Sequence, residues 1–573
     1  MHTSGIRHRR LLLIVAVCAL TLFAGLGRAA LWEPDEARYA EATRLMLARG
    51  DLLTPWYNGE PRFEKPILFY WLQLPFFAVL GPSELAARLP TALAAVGCVV
   101  LTWAIGARLF GATAAWLAAL VLATSFRFVM FARQGLTDMP ALFFELLALY
   151  GFLRADQSPA GSGWLVAWIA VGLAALTKGP VAIIPVAIWV AFYVARREWA
   201  GLRRMRLLRG SLIALAIAAP WALYMVATHG RRFLDVIVMS EVVLRVQGQV
   251  GGSRSLFYYV DVWPADLLPW TPFFLAALVW LARANRRLEH STRRGVVLAL
   301  VWFVGVIALF TLSRAKVPHY LLPSHPAAAL LTGLFVDRVA RAEAPQGLWR
   351  AAASIVALMF PVAAVLAWAL LRRAPDPSMA VPALLLPALL VLCAIGMVLS
   401  AWHRGPIAAS GALAAATAVG AAYTALVAVP GLTGLQTVPQ LAERITATAP
   451  PEARIGQYGV VSAGLVHYTR HRVELLASAE AAAGFLRAPG DAVLVLPRPD
   501  VAAIAALAPG AVHEIAAGKR LVVRLDRLFD ERGPFEDGLV AVSNRRSLSS
   551  VGRVGGVGRV EDFPTQPTPP TPP

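Results

Sequence analysis

Long apolar runs, nearly free of charge, recur from Leu11 to Pro430 and leave few folds open to this chain. A run of about 18 apolar residues can cross the hydrocarbon of a bilayer as a helix, which satisfies its own backbone N–H and C=O groups there. Of the 573 residues 58% are hydrophobic, and the mean hydropathy is +0.62. Soluble cores of this size could not hide so much apolar surface. Window reading predicts about thirteen spans. They lie near 11–28, 90–109, 111–126, 138–154, 163–178, 180–195, 210–228, 264–282, 295–313, 319–336, 351–371, 380–401 and 406–429. The apolar stretch Ile67 to Leu80 is interrupted by Pro66 and Pro75, and is expected at the interface. The first run follows Arg7, Arg9 and Arg10 like a signal peptide. Ala29–Ala30–Leu31 is a poor cleavage site, so a retained signal anchor is expected.

A net charge of +19 suggests nucleic acid only until its distribution is read. The arginines gather in short loops, at 196–209, 283–294 and 338–350, which alternate with loops of mixed or lesser charge. That is the positive-inside pattern of an inner-membrane protein, with membrane lipids rather than nucleic acid as its surroundings. It predicts a cytoplasmic N-terminus and places 32–66, 127–137, 177–179, 229–264, 314–319 and everything after Val429 outside the cytoplasm. The three cysteines, Cys18, Cys98 and Cys393, lie in apolar spans without paired spacing, so no disulfide framework or thiolate metal site is implied.

After about residue 440 the character changes. Short β-rich runs (454–458, 492–496, 520–525) alternate with alanine-rich helical stretches (478–486, 501–507), the pattern of a small α/β domain with a partly parallel sheet. Beyond Asp530 the chain turns Gly-, Ser- and Arg-rich and then Pro-rich, a composition expected to be disordered. The predicted organisation is a membrane domain over 1–430 with a first extracytoplasmic loop at about 29–89, an α/β domain over 440–530, and a tail over 531–573.

The polar interval from Trp32 to Gln73 is the most informative stretch. Pro34, Asp35, Glu36 and Glu41 mark a helix start. Asp35, Arg38 and Tyr39 share one face of that helix. An aspartate beside a membrane-embedded cavity is costly unless it serves a function. Asp35–Glu36, Phe63–Glu64–Lys65–Pro66, Arg133 with Asp138, and Thr177–Lys178–Gly179–Pro180 follow in order. After them come Phe257–Tyr258–Tyr259 with Leu268–Pro269–Trp270, and Lys316–Val317–Pro318–His319–Tyr320–Leu321–Leu322–Pro323. In order and topological side, over roughly residues 10–430, these motifs resemble the ArnT and protein O-mannosyltransferase-like family of GT-C glycosyltransferases. The C-terminal α/β domain resembles the one ArnT-type enzymes carry.

The resemblance implies an α-helical polytopic membrane protein of GT-C fold, with about 13 transmembrane helices and a small extracytoplasmic α/β domain. It implies transfer of a sugar from a polyprenyl (undecaprenyl) phosphate to an envelope acceptor at the outer face. In ArnT the sugar is 4-amino-4-deoxy-L-arabinose and the acceptor lipid A; other relatives modify proteins or other envelope glycans. The leaving phosphate develops negative charge, so a cation in a dry cavity mouth stabilises it. Lys65 takes that role by resemblance, with Arg38 and Lys178 as further candidates. Asp35 would activate or orient the acceptor, and Asp138 matches a second family aspartate. Glu36, Tyr39, Glu64, Arg133 and Tyr320 are expected to line the pocket. Plainer readings stand beside these: a snorkelling Lys65, a helix-capping Asp138, a Tyr320 of the aromatic belt.

No cofactor is assigned outright, and a divalent metal is the one candidate the resemblance raises. Glu64 matches a position that contacts zinc in ArnT together with a histidine, but in the corresponding segment, Glu241 to Val246, Val242 stands in the histidine's place. Zinc wants three or four ligands, usually including His or Cys, so no metal is assigned. His229, His319 and His325 show no spacing that lifts them above lone interfacial histidines. A transporter of lipid-linked sugar is the alternative of another class. It would place charges near the midplane of repeated halves, whereas here they gather at one face and no repeat is seen.

Overall fold

The structure is a computed structural model and describes residues 2–237, 254–284, 288–313, 316–373, 379–430, 437–521 and 535–546. Helix α1 (His2–Cys18) runs on through a π turn at Ala19–Phe23. Helix α2 (Asp35–Arg49) follows Pro34 and stops at Gly50, whose φ of 67° closes the helix in the left-handed region. A tight hairpin, β1 (Trp56–Tyr57) and β2 (Glu60–Pro61), turns at Asn58–Gly59, both at positive φ. Helix α3 (Leu68–Leu80), only 13 residues long, leads to α4 (Glu84–Phe110), whose first turn is capped by the Ser83 hydroxyl.

Helices α5 (Ala112–Ala123), α6 (Phe126–Ala132), α7 (Asp138–Gln157), α8 (Gly163–Lys178), α9 (Ile184–Arg196), α10 (Trp199–Met205) and α11 (Leu207–His229) continue the bundle. After them come α12 (Tyr258–Asp266), α13 (Thr271–Ala284), α14 (His290–Leu312), α15 (His325–Ala340), α16 (Gln346–Leu371) and α17 (Pro382–Tyr423). Nearly every side chain of α5 is buried, so it is the bundle's central helix. It crosses α15 at Gly333, where an added Cβ would lie 2.4 Å from the Ala114 carbonyl. Small residues allow such backbone contact where no hydrophobic force drives helices together.

Among the described residues six helices are long and apolar enough to cross a membrane, eight if each of two bent pairs counts as one span. The sequence windows predict more, for three physical reasons. Windows 163–178 and 180–195 fall on one helical stretch, Gly163–Arg196. Windows 380–401 and 406–429 fall on another, Pro382–Ala428, which kinks at Gly405. Helices α1 and α15 are 17 and 16 residues long, and α7 carries Asp138, Glu145, Arg154 and Asp156. The protein is a multi-pass membrane protein with a small sheet domain at its C-terminal end.

That domain opens with α18 (Thr437–Thr448). It contains β3 (Arg454–Tyr458), α19 (Ala463–Thr469), β4 (Val473–Leu476), α20 (Ala479–Arg487), β5 (Ala492–Pro497), α21 (Val501–Leu507), β6 (His513–Leu521) and β7 (Phe535–Ser543). Strand order is β4-β3-β5-β7-β6; β3 pairs in parallel with β4 and β5, while β7 runs antiparallel to β5 and β6. Clusters around Leu441 and Ile455 and around Phe485 and Leu494 make its core. One expectation needs correcting. The domain does not end at 530, because β7 lies between β5 and β6 and buries Val540, Ala541 and Val542. The Gly-rich composition of the tail, averaged over many residues, hid a single short strand. The rest of the predicted tail, 547–573, lies outside the described residues.

Candidate active site

Helices α7 and α8 are antiparallel and nearly touch. A Cβ added at Gly151 would lie 2.6 Å from the Ala167 nitrogen, and one at Gly163 2.6 Å from the Ala155 nitrogen. The first residue of α7 therefore meets the last of α8. Lys178 Nζ donates to Asp138 Oδ1 at 2.7 Å, and His319 Nε2 stands 3.9 Å from the same oxygen. The acid sits at a helix N-terminus and the base at a C-terminus, where each suits the helix dipole. Both side chains are largely buried, 9% and 18% exposed, which strengthens their attraction relative to a surface pair. Beside them is a cavity of about 20 Å³, room for one water, lined by Asp138, Glu145, Lys178, His319 and Tyr320 among others. The Tyr320 ring packs on Phe310 at 5.0 Å, and the Lys178 ammonium lies 6.0 Å from its centre.

The first polar loop approaches the same place. Asp35 opens α2 and is 60% exposed, with Arg38 Nη1 3.6 Å from its carboxylate. Asp35 lies near enough for its charge to act on His319, and Lys65 near enough for its charge to act on Asp138. Tyr39 turns inward, 5.1 Å from Phe69 and 5.7 Å from Tyr70 between ring centres, under the Arg62 guanidinium at 4.9 Å. Burial pushes its phenol well above the usual range, the Arg62 charge opposing. Tyr39 is thus a packing residue that shapes the loop. An acid–base pair on one loop, a second on two helix ends and a histidine between them can hold an anion and a nucleophile side by side.

Residues 64–224 match the model of the dolichyl-phosphate-mannose-protein mannosyltransferase family. A protein of uncharacterized activity from Aquifex aeolicus is 33% identical over 330 residues, 57% of this chain and 64% of its own. A second one is 30% identical over 307 residues, 68% of its length. The undecaprenyl phosphate-alpha-4-amino-4-deoxy-L-arabinose arabinosyl transferase of Pseudomonas aeruginosa is 30% identical over 332 residues, 56% of this chain and 58% of its own. The chain thus spans less than two thirds of the length of the first of these relatives. The crystal structure of ArnT from Cupriavidus metallidurans bound to undecaprenyl phosphate superposes with a TM-score of 0.77 at 23% identity, over 95% of this chain and 99% of that one. The chain is ArnT-like in sequence and in fold.

In this ArnT-like protein Asp35, Lys65, Asp138, Lys178 and Tyr320 converge on one end of the bundle, with Arg38 on the neighbouring helix turn. Beside Tyr39, two more expected pocket residues do other work. Glu36 is buried and receives Arg88 Nε at 2.7 Å, Arg88 Nη2 at 2.9 Å, the Gly135 N–H at 2.7 Å and the Trp32 N–H at 2.8 Å. Every lone pair that could greet a substrate is committed, so Glu36 is a clamp between α2, α4 and the loop before α7. Arg133 donates to the Thr21 and Ala24 carbonyls at 3.0 and 2.7 Å, tying off the end of the first helix rather than facing a pocket. Glu64 is 44% exposed, and one carboxylate oxygen stands 3.4 Å from Arg62 Nε.

His319 was not distinguished by its spacing, because its partner Asp138 is far away in sequence; only the Lys316 to Pro323 motif marked it. Arg88 and Arg62 were missed as well. The zinc of the family finds a poor fit. Among the described residues no three His, Cys, Asp or Glu side chains gather as ligands, and the cation beside Glu64 is a guanidinium. His229 instead packs on Phe63 at 5.1 Å. His325 is buried against the Leu321 carbonyl at 3.0 Å. Val242 lies outside the described residues.

Proposed function

We propose that this protein is an integral membrane glycosyltransferase, taking a sugar from a polyprenyl phosphate and passing it to an envelope acceptor. The observation that carries the reading is the convergence of Lys65 and Lys178 with Asp35 and Asp138 at one end of a GT-C bundle. The acceptor oxygen attacks the sugar's anomeric carbon while the bond from that carbon to the phosphate oxygen breaks, its electron pair leaving on the phosphate. Lys65, and Lys178 held in place by Asp138, stabilise that growing charge where little water competes. Arg38 adds a third cation at the rim. Asp35, on the exposed side, takes the proton of a hydroxyl acceptor, or orients an acceptor that is already an anion.

The named Pseudomonas relative and the lipid-bound ArnT fold support undecaprenyl phosphate as the carrier, and the relative's name supports 4-amino-4-deoxy-L-arabinose as the sugar. Lipid A as the acceptor rests on the motif resemblance alone. The mannosyltransferase match over residues 64–224 favours a second reading, a protein hydroxyl as acceptor. The site end then faces away from the cytoplasm of the inner membrane, as the basic loops require. Mass spectrometry of lipid A and of surface proteins, from cells with and without the chain, separates the two acceptors. A mass shift in lipid A supports the first and in a protein the second, while no change in either removes both.

A further inference from the structure

We infer that the C-terminal α/β domain is a positioning element of the active site, gripping both arms of the first polar loop and so setting where Asp35 and Lys65 stand. The inference rests on the function proposed above. Glu33, two residues before Asp35, reaches the start of α19. One of its carboxylate oxygens accepts from Ser462 Oγ at 2.8 Å and from the Gly464 N–H at 2.7 Å; the other accepts from the Ala463 N–H at 2.8 Å. A helix start leaves N–H groups without intrahelical partners, and an anion satisfies them. In a sheet where β3 pairs with β4 on one side and β5 on the other, this crevice at the carboxyl end of β3 is where α/β domains hold ligands. Here a side chain of the membrane domain fills it. The fit is close: a Cβ on Gly464 would lie 2.3 Å from the Glu33 carboxylate.

The same helix makes further bonds to this region. Tyr468 accepts the Leu31 N–H at 2.8 Å and donates to Glu84 at 3.0 Å, while His467 lies 3.1 Å from Glu41 in the body of α2. The lysine's arm is held separately. Asn58, at the tip of the hairpin that leads to Lys65, donates to the Val473 carbonyl at 2.9 Å and accepts the Val473 N–H at 2.8 Å. This amide extends the edge of the domain's sheet. Asp35 and Lys65 thus stand on two stalks, each bonded to the same domain.

The test uses the full-length protein in lipid nanodiscs, with undecaprenyl phosphate-4-amino-4-deoxy-L-arabinose and lipid A as probes. Glu33→Ala, Asn58→Ala, Ser462→Ala and the Glu33→Ala/Ser462→Ala pair are compared by turnover, KM, Tm and amide hydrogen exchange. A misplacement of about 1 Å lowers turnover on the order of a hundredfold. Glu33→Ala is expected to approach that loss, with the donor KM changed less than about twofold. Ser462→Ala adds little on top of it, and exchange rises over residues 31–38. A structural role alone would lower Tm and leave turnover per folded molecule intact. Unchanged exchange over 31–38 in Glu33→Ala overturns the inference, as does raised exchange with normal turnover. If wild-type protein transfers nothing from this donor, the proposed function has failed, and the exchange result alone decides whether the domain orders the loop.

Discussion

Arg88 and Glu36 show what one buried pair can organise. The guanidinium spends its remaining donors on the carbonyls of Leu26, Ala29 and Ala30, at 2.9, 2.6 and 2.8 Å, so the loop from the first helix into α2 is drawn over α4. Deleting one partner leaves a charge buried and alone, which costs about 3–5 kcal/mol. Glu36→Gln and Arg88→Met are each expected to lower the midpoint of thermal unfolding in detergent, and the double variant to lose less than the two losses combined. Additive losses would show the pair to be uncoupled. Helix spacing put Asp35, Arg38 and Tyr39 on one face, but could not say which neighbours point to solvent. Glu36 read as a pocket residue because its partner lies 52 positions away. The pairing of Lys178 with Asp138, 40 positions apart, was equally out of reach until tertiary contact joined two motifs that are each visible in the sequence.

At the scale of elements, the site depends on how closely α7 and α8 cross. A branched side chain at Gly151 or Gly163 must push the helix backbones apart, at about 1–3 kcal/mol for overpacking. Gly151→Val is therefore expected to reduce transfer more than it reduces stability, measured as turnover per folded molecule. Loss of folded protein with normal turnover would show that the crossing does not place Asp138 against Lys178. Apolar periodicity identified the helices but not their joints. The stretches Gly163–Arg196 and Pro382–Ala428 each absorbed two predicted windows, and the isolated strand β7 fell below the contrast of its Gly-rich surroundings. Docking of the C-terminal domain carries its own pH dependence. Burial pushes the Glu41 carboxyl up, but hydrogen bonds and charge from Arg44 and His467 outweigh it and hold it below its ordinary 4.5. A carboxyl lowered by folding contributes stability above its ordinary value and loses it as the pH falls through the lowered one. Release of the C-terminal domain from α2, read by limited proteolysis, is expected to accelerate as the pH falls below that ordinary carboxyl value. His467→Asn should weaken that step, and an unchanged pH profile in this variant would exclude the contact as its source.

On the scale of the whole molecule, polar groups concentrate at two ends. One end holds Asp35, Lys65, Asp138, Lys178 and the docked α/β domain. At the other, Arg294 bridges Asp156 and Glu198, while Arg204 also reaches Asp156 and Arg108 reaches Gln157. That separation follows from the sequence, where strongly basic loops alternate with loops of mixed or lesser charge, and it predicts sidedness. With Cys18, Cys98 and Cys393 replaced by serine, Glu60→Cys should react with a membrane-impermeant maleimide in spheroplasts and Arg203→Cys only after lysis. The reverse pattern would invert the topology. The most direct trial of the catalytic account is a cryo-electron-microscopy structure of the protein in nanodiscs with undecaprenyl phosphate added. The phosphate should lie within hydrogen-bonding reach of Lys65, with Lys178 and Asp138 beside it and Asp35 facing it across the pocket. A phosphate seated at the Arg204 and Arg294 end, or at the first end but out of reach of Lys65, would contradict it.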